Sequence, residues 1–258
     1  MSPPPNFSID LTGRTALVTG ASAGLGWRFS GVLAACGAKV AVAGRRRGRL
    51  EALVAEIRAD GGVAWPIELD VSRSKDIPAA VDAVERELGL IDILVNNAGV
   101  PDAARATKLS AEAVDMVFDT NLRGPWVLSC EVARRLIAAG APGAMVNIAS
   151  MGAFVYSGNT AAALYSVTKA GLVRMTDVLA KEWARFNINV NAMAPGTVSS
   201  EMVDGMIERM GGGLADSFPR RRIGRPDQLD STLLYLVSPS SDFVTGTCVK
   251  VDDGQMPR

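Results

Sequence analysis

The chain is 258 residues long and 48% hydrophobic, enough apolar material for a sizeable core, and no linker divides it, so a single domain over residues 1–258 is expected. Its 27 lysines and arginines balance 27 aspartates and glutamates; no net field favours nucleic acid or an acidic membrane surface, and the expected partner is a small molecule. The sequence contains no histidine, which removes Ser-His-Asp and Cys-His catalysis and any histidine-based metal site.

Three cysteines, Cys36, Cys130 and Cys248, lie far apart without Cys-x-x-Cys spacing, which fits reduced thiols in a cytoplasmic protein better than a disulfide framework. The opening MSPPPNFSID lacks the basic and apolar regions of a signal peptide, and residues 1–10 are expected to form a disordered tail. No uninterrupted apolar run approaches the roughly 18 residues that suggest a membrane span.

From Arg14 the chain reads as a β-rich run (TALVTG), a glycine-rich turn, a helix from Gly26 towards Cys36 and a second β-rich run (AKVAVAG). The alternation continues with a helix over 49–59, a strand over 63–69, a helix over 77–88 and a strand over 91–95. Strands apolar on both sides and separated by helices imply a parallel sheet covered on both faces, hence a doubly wound α/β fold. Later strands at 144–149, 188–194 and 248–251 bring the total to about seven.

The turn after the first strand, Thr19 to Gly26, has the spacing Gly-x-x-x-Gly-x-Gly at Gly20, Gly24 and Gly26. Glycines here let a pyrophosphate approach the free N–H groups at a helix start, although a plain tight turn would use them too. The second strand ends at Gly44-Arg45-Arg46-Arg47, with no acid before Glu51. An acid would bind a ribose 2′-hydroxyl; arginine instead accommodates a 2′-phosphate, so NADP is favoured and NAD is the alternative. The arginines could equally solvate a helix start. Asp70, at the end of the third strand, faces adenine or forms a turn. Asn96-Asn97-Ala98-Gly99 follows the fourth strand at the ligand-binding edge, and at least one asparagine is expected to be structural.

Residues 110–139 read as one long helix with Ser110 as N-cap and Gly124-Pro125 in its middle. Pro125 has no N–H for the carbonyl of Asn121, leaving that carbonyl free to hold a water; Asn121 could also be a kink residue and no more. The fifth strand ends at Ser150. A segment running to Phe186 then carries Tyr165 and Lys169 four residues apart, so on a helix a phenol and an ammonium share one face. Leu164, Val167, Met175, Leu179, Trp183 and Phe186 cover a broad arc of this helix, too much for burial on one side, which predicts packing against a second subunit. Residues 201–220, with Met202, Met206, Met210 and three consecutive glycines, read as a substrate lid, with an ordinary surface helix and loop as the alternative. Arg220, Arg221 and Arg222 could attract an anionic substrate, but surface solvation and salt bridging are the expected role.

Taken together, TGASAGLG at 19–26, NNAG at 96–99, Asn121, Ser150, YSVTK at 165–169 and PGTVSS at 195–200 give the chain a close resemblance, from Leu11 to Gly254, to the classical short-chain dehydrogenase/reductase family. The resemblance implies a Rossmann-type fold and reversible hydride transfer between a nicotinamide and an alcohol or ketone. It implies Asn121, Ser150, Tyr165 and Lys169 as the catalytic set: Tyr165 as general acid/base, Ser150 as hydrogen-bond partner of the substrate oxygen, and Asn121 as holder of a water leading from Lys169. Because a free phenol titrates near 10, Lys169 and a positive nicotinamide are expected to lower Tyr165. Cofactor contacts are implied for Gly20, Ser22, Gly24, Leu25, Gly26, Arg45, Asp70, Val71, Asn97, Ala98 and Gly99. Tyr165, Lys169, Pro195, Gly196, Val198 and Ser200 complete them, with Thr197 and Ser200 on the carboxamide side.

The interval from Ser150 to Tyr165 is two residues longer than usual, as in the polyol and ketose branch of the family. Val251-Asp252-Asp253-Gly254 replaces the commoner Val-Asp-Gly-Gly beside a frequent subunit contact, so a tetramer or a dimer is expected. A nucleotide-binding regulatory protein without turnover is the competing class.

Overall fold

The computed structural model describes residues 8–156, 158, 161–200, 203 and 213–255. Seven parallel strands, β1 Thr15–Thr19, β2 Lys39–Gly44, β3 Val63–Glu68, β4 Ile93–Asn96, β5 Gly143–Ile148, β6 Ile188–Pro195 and β7 Cys248–Val251, form one sheet in the order β3-β2-β1-β4-β5-β6-β7. Its strand order reverses between β1 and β4, and in such sheets the carboxyl ends of the strands diverge there to leave a crevice.

The helices are α1 Gly24–Ala35, α2 Arg47–Ala59, α3 Ile77–Leu88, α4 Ala111–Phe118, α5 Gly124–Ala139, α6 Ala163–Trp183 and α7 Asp230–Val237. Strand side chains alternate between two cores. Ala16 and Val18 of β1 and Val40 and Val42 of β2 pack with Phe29, Leu33, Leu53 and Leu233 of α1, α2 and α7. Leu17 and Ala41, on the opposite face, pack with Val81, Leu136, Leu172 and Leu179 of α3, α5 and α6. Both faces are thereby dry, which is why these strands carry unbroken apolar runs.

The single helix expected over 110–139 is two helices joined by a π turn, Asp119–Arg123. Pro125 removes one rung of the ladder, and the extra residue of the π turn absorbs the break without ending the helical path. Ser110 does cap α4, its Oγ accepting from the N–H of Ala113 at 3.3 Å. The last helix begins at Asp230, after a 3₁₀ turn at Pro226–Leu229.

Ser8 donates its N–H to Ser240 and accepts from Ser238, so residues 8–10 are anchored to the body, not part of the disordered tail expected over residues 1–10. Met1 to Pro5 lie outside the described residues, as do Met202, Met206 and Met210 and most of the lid expected over 201–220. Within the lid range, Ala215–Ser217 form a 3₁₀ turn. The basic triplet makes salt bridges as expected: Arg220 and Arg222 reach Asp253 at 3.1 and 2.7 Å. Leu172, Met175, Leu179 and Trp183 spend most of the apolar arc of α6 on the chain's own core, leaving Val167 outward. Among the described residues no helix is long and apolar enough to cross a membrane.

Candidate active site

A cavity of about 470 Å³ opens at the carboxyl edge of the sheet, from the ends of β2 and β3 to those of β5 and β6. β1 and β4 lie between β2 and β5, so even the nearer strands of the two ends, β2 and β5, are three strand spacings, roughly 14 Å, apart. That is an elongated site.

Its floor is the turn after β1. Gly20 and Gly24 hold φ of 66 and 56°, a region glycine enters without penalty. A Cβ on Gly20 would lie 2.8 Å from the Cα of Ala98, and one on Gly26 would lie 2.4 Å from the carbonyl oxygen of Gly20. Gly20, Ser22, Gly24 and Leu25 line the cavity, whereas Gly26 stands behind the wall and lets the turn close on itself. Gly26 therefore has a packing role, since a side chain there would collide with the turn. No side chain caps α1 and no acid occupies its first turn, so the positive end of the helix faces the cavity.

At the β2 end the three arginines divide. Arg45 and Arg46 line the cavity, and Nε of Arg46 donates to Ser22 Oγ at 3.0 Å; Arg47 instead pairs with Glu51 at 2.9 Å. Arg46 was not distinguished by sequence, because three consecutive arginines look alike until the start of α2 turns one of them outward. Asp70 serves both readings: it lines the cavity beside Val71, and its Oδ1 accepts from the N–H and hydroxyl of Ser72 at 3.1 and 2.7 Å. A glycine turn that a Cβ would fill, an uncapped helix start and two cations beyond it fit a dinucleotide carrying an extra phosphate.

Asn96, the last residue of β4, and Asn97, which follows it, are both structural. Asn96 donates to Asn147 at 2.8 Å and to Ser129 at 2.9 Å, and Asn147 donates to Thr176 of α6 at 2.9 Å. Asn97 donates to the carbonyl of Thr19 at 2.9 Å, while Asn97, Ala98 and Gly99 also line the cavity. Pro195, Gly196, Val198 and Ser200 form its wall beyond β6. Gln255, which no sequence signal marked, accepts from the N–H of Thr197 at 2.6 Å and steadies that wall.

Ser150, Tyr165 and Lys169 meet where β5 ends. Ser150 accepts from the N–H of Gly152 at 3.1 Å and is hydrogen-bonded to the Tyr165 hydroxyl. Lys169 is buried, with Nζ donating to the carbonyl of Ile148 at 2.7 Å and lying 5.6 Å from the centre of the Tyr165 ring. Burial pushes the Tyr165 phenol above its usual range, with the Ser150 hydrogen bond opposing, and pulls the Lys169 ammonium down to about 8. In the ligand-free chain desolvation dominates both groups, and the lowering expected of Lys169 together with a positive nicotinamide belongs to the cofactor complex.

Asn121 is fully buried behind the cavity in the π turn. Its Oδ1 accepts from the N–H of Val100 at 2.8 Å, and its Nδ2 donates to the carbonyl of Val100 at 2.9 Å and to Thr168 at 3.2 Å. Its side chain is thus a brace, which leaves only its main-chain carbonyl for solvent chemistry. Asp102, 7% exposed, accepts from the N–H groups of Leu164 and Tyr165 at 2.9 and 2.7 Å. No local pattern could have found Asp102, because its partners lie more than sixty residues away.

Residues 20–256 match the family model described as Enoyl-(Acyl carrier protein) reductase. Over 255 residues the chain is 35% identical to galactitol 2-dehydrogenase of Agrobacterium fabrum, covering 95% of this chain and 98% of that one. A short-chain type dehydrogenase/reductase from Mycobacterium marinum superposes with a TM-score of 0.92 at 33% identity over 97% of this chain and 98% of that one. Gluconate 5-dehydrogenase from Burkholderia cenocepacia, solved with NADP and tartrate, superposes at 0.89 with 31% identity over 96% of each chain. With the glycine turn, the strand-end serine and the Tyr165–Lys169 pair in one cavity, the chain belongs to the classical short-chain dehydrogenase/reductase family of NAD(P)-dependent oxidoreductases.

Proposed function

We propose that the protein interconverts a secondary alcohol and a ketone on a sugar-derived or polyol substrate, with NADP preferred to NAD. One observation carries the reading: the Tyr165 hydroxyl, bonded to Ser150 and near Lys169, stands in the same cavity as the uncapped start of α1 and Arg46. The bound nicotinamide supplies the hydride acceptor in oxidation and the hydride donor in reduction. In oxidation Tyr165, as phenolate, takes the hydroxyl proton of the alcohol; in reduction the phenol returns it to the forming alkoxide. Ser150 donates to the same oxygen as charge develops there. Lys169 meets the nicotinamide ribose, and the main-chain carbonyl of Asn121, denied an N–H by Pro125, holds the water that leads from Lys169 to solvent.

Gly20, Ser22, Gly24 and Leu25 hold the pyrophosphate, Arg45 and Arg46 the 2′-phosphate, and Asp70 and Val71 the adenine end. Asn97, Ala98 and Gly99 border the sugars, and Pro195, Gly196, Val198 and Ser200 the carboxamide. The polyol reading draws on the galactitol and gluconate relatives and on the lengthened interval between Ser150 and Tyr165. A 3-oxoacyl thioester is the second reading, favoured by the acyl-carrier description of the family model.

The deciding experiment is a panel of galactitol, gluconate, a 3-oxoacyl thioester and an enoyl thioester, each with NADP(H) and NAD(H), run on wild type and Tyr165→Phe. Turnover of an alcohol or ketone, faster with NADP(H) and lost in the variant while NADP binding persists, is expected. Tighter NAD than NADP binding would mean that the arginines were misread. NADP binding without any turnover would favour a regulatory protein.

A cytoplasmic homotetramer is the assembly we propose. Met116, Trp126 and Val167 expose large apolar surfaces on α4, α5 and α6, and Cys36, Cys130 and Cys248 are free thiols. Light scattering and cell fractionation check this; a monomer or an exported protein would refute it.

A further inference from the structure

Helix α6 places Tyr165 at its third position and offers no local means of fixing its start. Its N-cap is Ala162, with no side-chain cap, and no acid lies in its first turn. An N-cap side chain ordinarily serves the N–H groups of the second and third helical residues, here Leu164 and Tyr165. Those two N–H groups are the ones that the carboxylate of Asp102 accepts, one on each oxygen, at 2.9 and 2.7 Å. The carboxylate is 7% exposed, so its charge is carried by these N–H groups and by the positive end of the helix rather than by water.

Asp102 belongs to the loop that leaves β4 through the cofactor side of the cavity, three residues after Gly99. The same loop is tied to α6 a second time: Asn121 brackets both backbone groups of Val100 and donates to Thr168 at 3.2 Å. Thr168 in turn donates to the carbonyl of Tyr165 at 2.8 Å. Further along, Arg105 donates to the carbonyl of Gly158 at 2.5 Å, joining the loop to the segment that precedes α6. Both backbone groups of Tyr165 are therefore held by side chains rather than by the helix ladder alone, and both holds lead back to the strand end that borders the ligand.

We infer that Asp102 is a positioning residue for Tyr165: it caps α6 from a distance of sixty-odd residues and sets the reach of the phenol relative to the cofactor wall. The inference rests on Tyr165 being the acid/base. A displacement of 1 Å in a reacting group can lower a rate about a hundredfold, so a frayed first turn should appear in kcat before it appears in binding.

The test compares Asp102→Ala and Asp102→Asn with Ser110→Ala, which removes the local cap of α4 and touches no ligand-lining residue. Using galactitol or gluconate, whichever turns over faster, Asp102→Ala is expected to lose roughly ten- to a hundredfold in kcat. Its NADP dissociation constant should stay within about twofold of wild type. Asp102→Asn, which keeps one accepting oxygen, should fall between Asp102→Ala and wild type, and Ser110→Ala should keep wild-type kcat. Hydrogen exchange needs no substrate: a peptide spanning 163–170 should lose protection in Asp102→Ala and keep it in Ser110→Ala.

Wild-type kcat in both Asp102 variants, equal losses in Ser110→Ala, or unchanged exchange at the start of α6 would overturn the inference. A rise in the NADP dissociation constant matching the fall in kcat would do so too, by making Asp102 a prop of the binding loop. If Asp102→Ala does not fold, Asp102→Asn carries the test, and wild-type kcat in it is refuting. Tyr165→Phe with retained turnover would remove the acid/base reading itself, an outcome distinct from any failure of Asp102.

Discussion

Lys169 should make the protein active at the expense of its stability, and the structure supplies the size of the effect. Burial lowers its ammonium from 10.5 to about 8. At about 1.4 kcal/mol per pH unit this amounts to roughly 3 kcal/mol of unfavourable charge burial at neutral pH. The hydrogen bond to the carbonyl of Ile148 offsets about half, since bonds made by charged groups are worth about 1.5–3 kcal/mol. Lys169→Met keeps the length of the side chain and removes the charge, so it should gain about 1 kcal/mol or more at pH 7 and raise Tm by roughly 2–4 °C, while turnover is lost.

The pH dependence is the sharper signature. Between pH 8 and 10.5 the unfolded chain keeps the Lys169 proton that the folded protein releases, so wild-type stability rises with pH relative to the variant and the variant's advantage shrinks. Tyr165 acts oppositely, but only above about 10, where an unfolded phenol ionises before the buried one. Urea unfolding of both proteins from pH 7 to 9.5 therefore isolates the lysine. A variant less stable than wild type at pH 7, or an advantage that does not change over this range, would refute the reasoning.

Arg46→Ala should weaken NADP binding about tenfold and NAD binding less than twofold, measured by calorimetry, because its guanidinium lines the cavity where only the additional phosphate of NADP would meet it. Gly26→Ala should destabilise the fold by roughly 1–3 kcal/mol and impair dinucleotide binding, since its Cβ would meet the backbone of Gly20 at 2.4 Å; denaturant titration and cofactor fluorescence read both. Asn147→Ala, which cuts the buried chain from Asn96 to Thr176, should lose about 1–3 kcal/mol in the same titration. In ultraviolet titration, the absorbance difference between wild type and Tyr165→Phe should show phenolate appearing at higher pH than in a free tyrosine without cofactor, and should move to lower pH once oxidised NADP is bound.

The alternation of apolar runs with helix-period segments already determines a doubly wound sheet, because burial on two faces and burial on one leave different periodicities. Chemistry written in contiguous motifs was equally legible: the glycine turn, the asparagines at the end of β4, and Tyr165 with Lys169 at helical spacing. Three things were not. The π turn at Asp119–Arg123 depends on how a helix repairs the rung lost at Pro125, and a propensity pattern reads straight through it. The choice of Arg46 over Arg47 depends on the direction in which α2 starts. Asp102 and Gln255 act through backbone groups far away in sequence, where neither residue type nor local spacing carries a signal.

Geometry and electrostatics in this site pull in different directions, and the conflict says when the site is competent. The hydrogen bonds around Tyr165 are complete without ligand: Ser150 meets its hydroxyl, Asp102 its N–H and Thr168 its carbonyl. Position is thus set in advance. Charge is not, because burial drives the phenol and the ammonium towards their neutral forms. A phenolate here needs a positive charge that the protein's own groups only partly provide, and the oxidised cofactor carries one. On the proposed reading, the alcohol's proton acceptor is therefore completed only while the oxidised dinucleotide is bound, and through its charge rather than through any moving part.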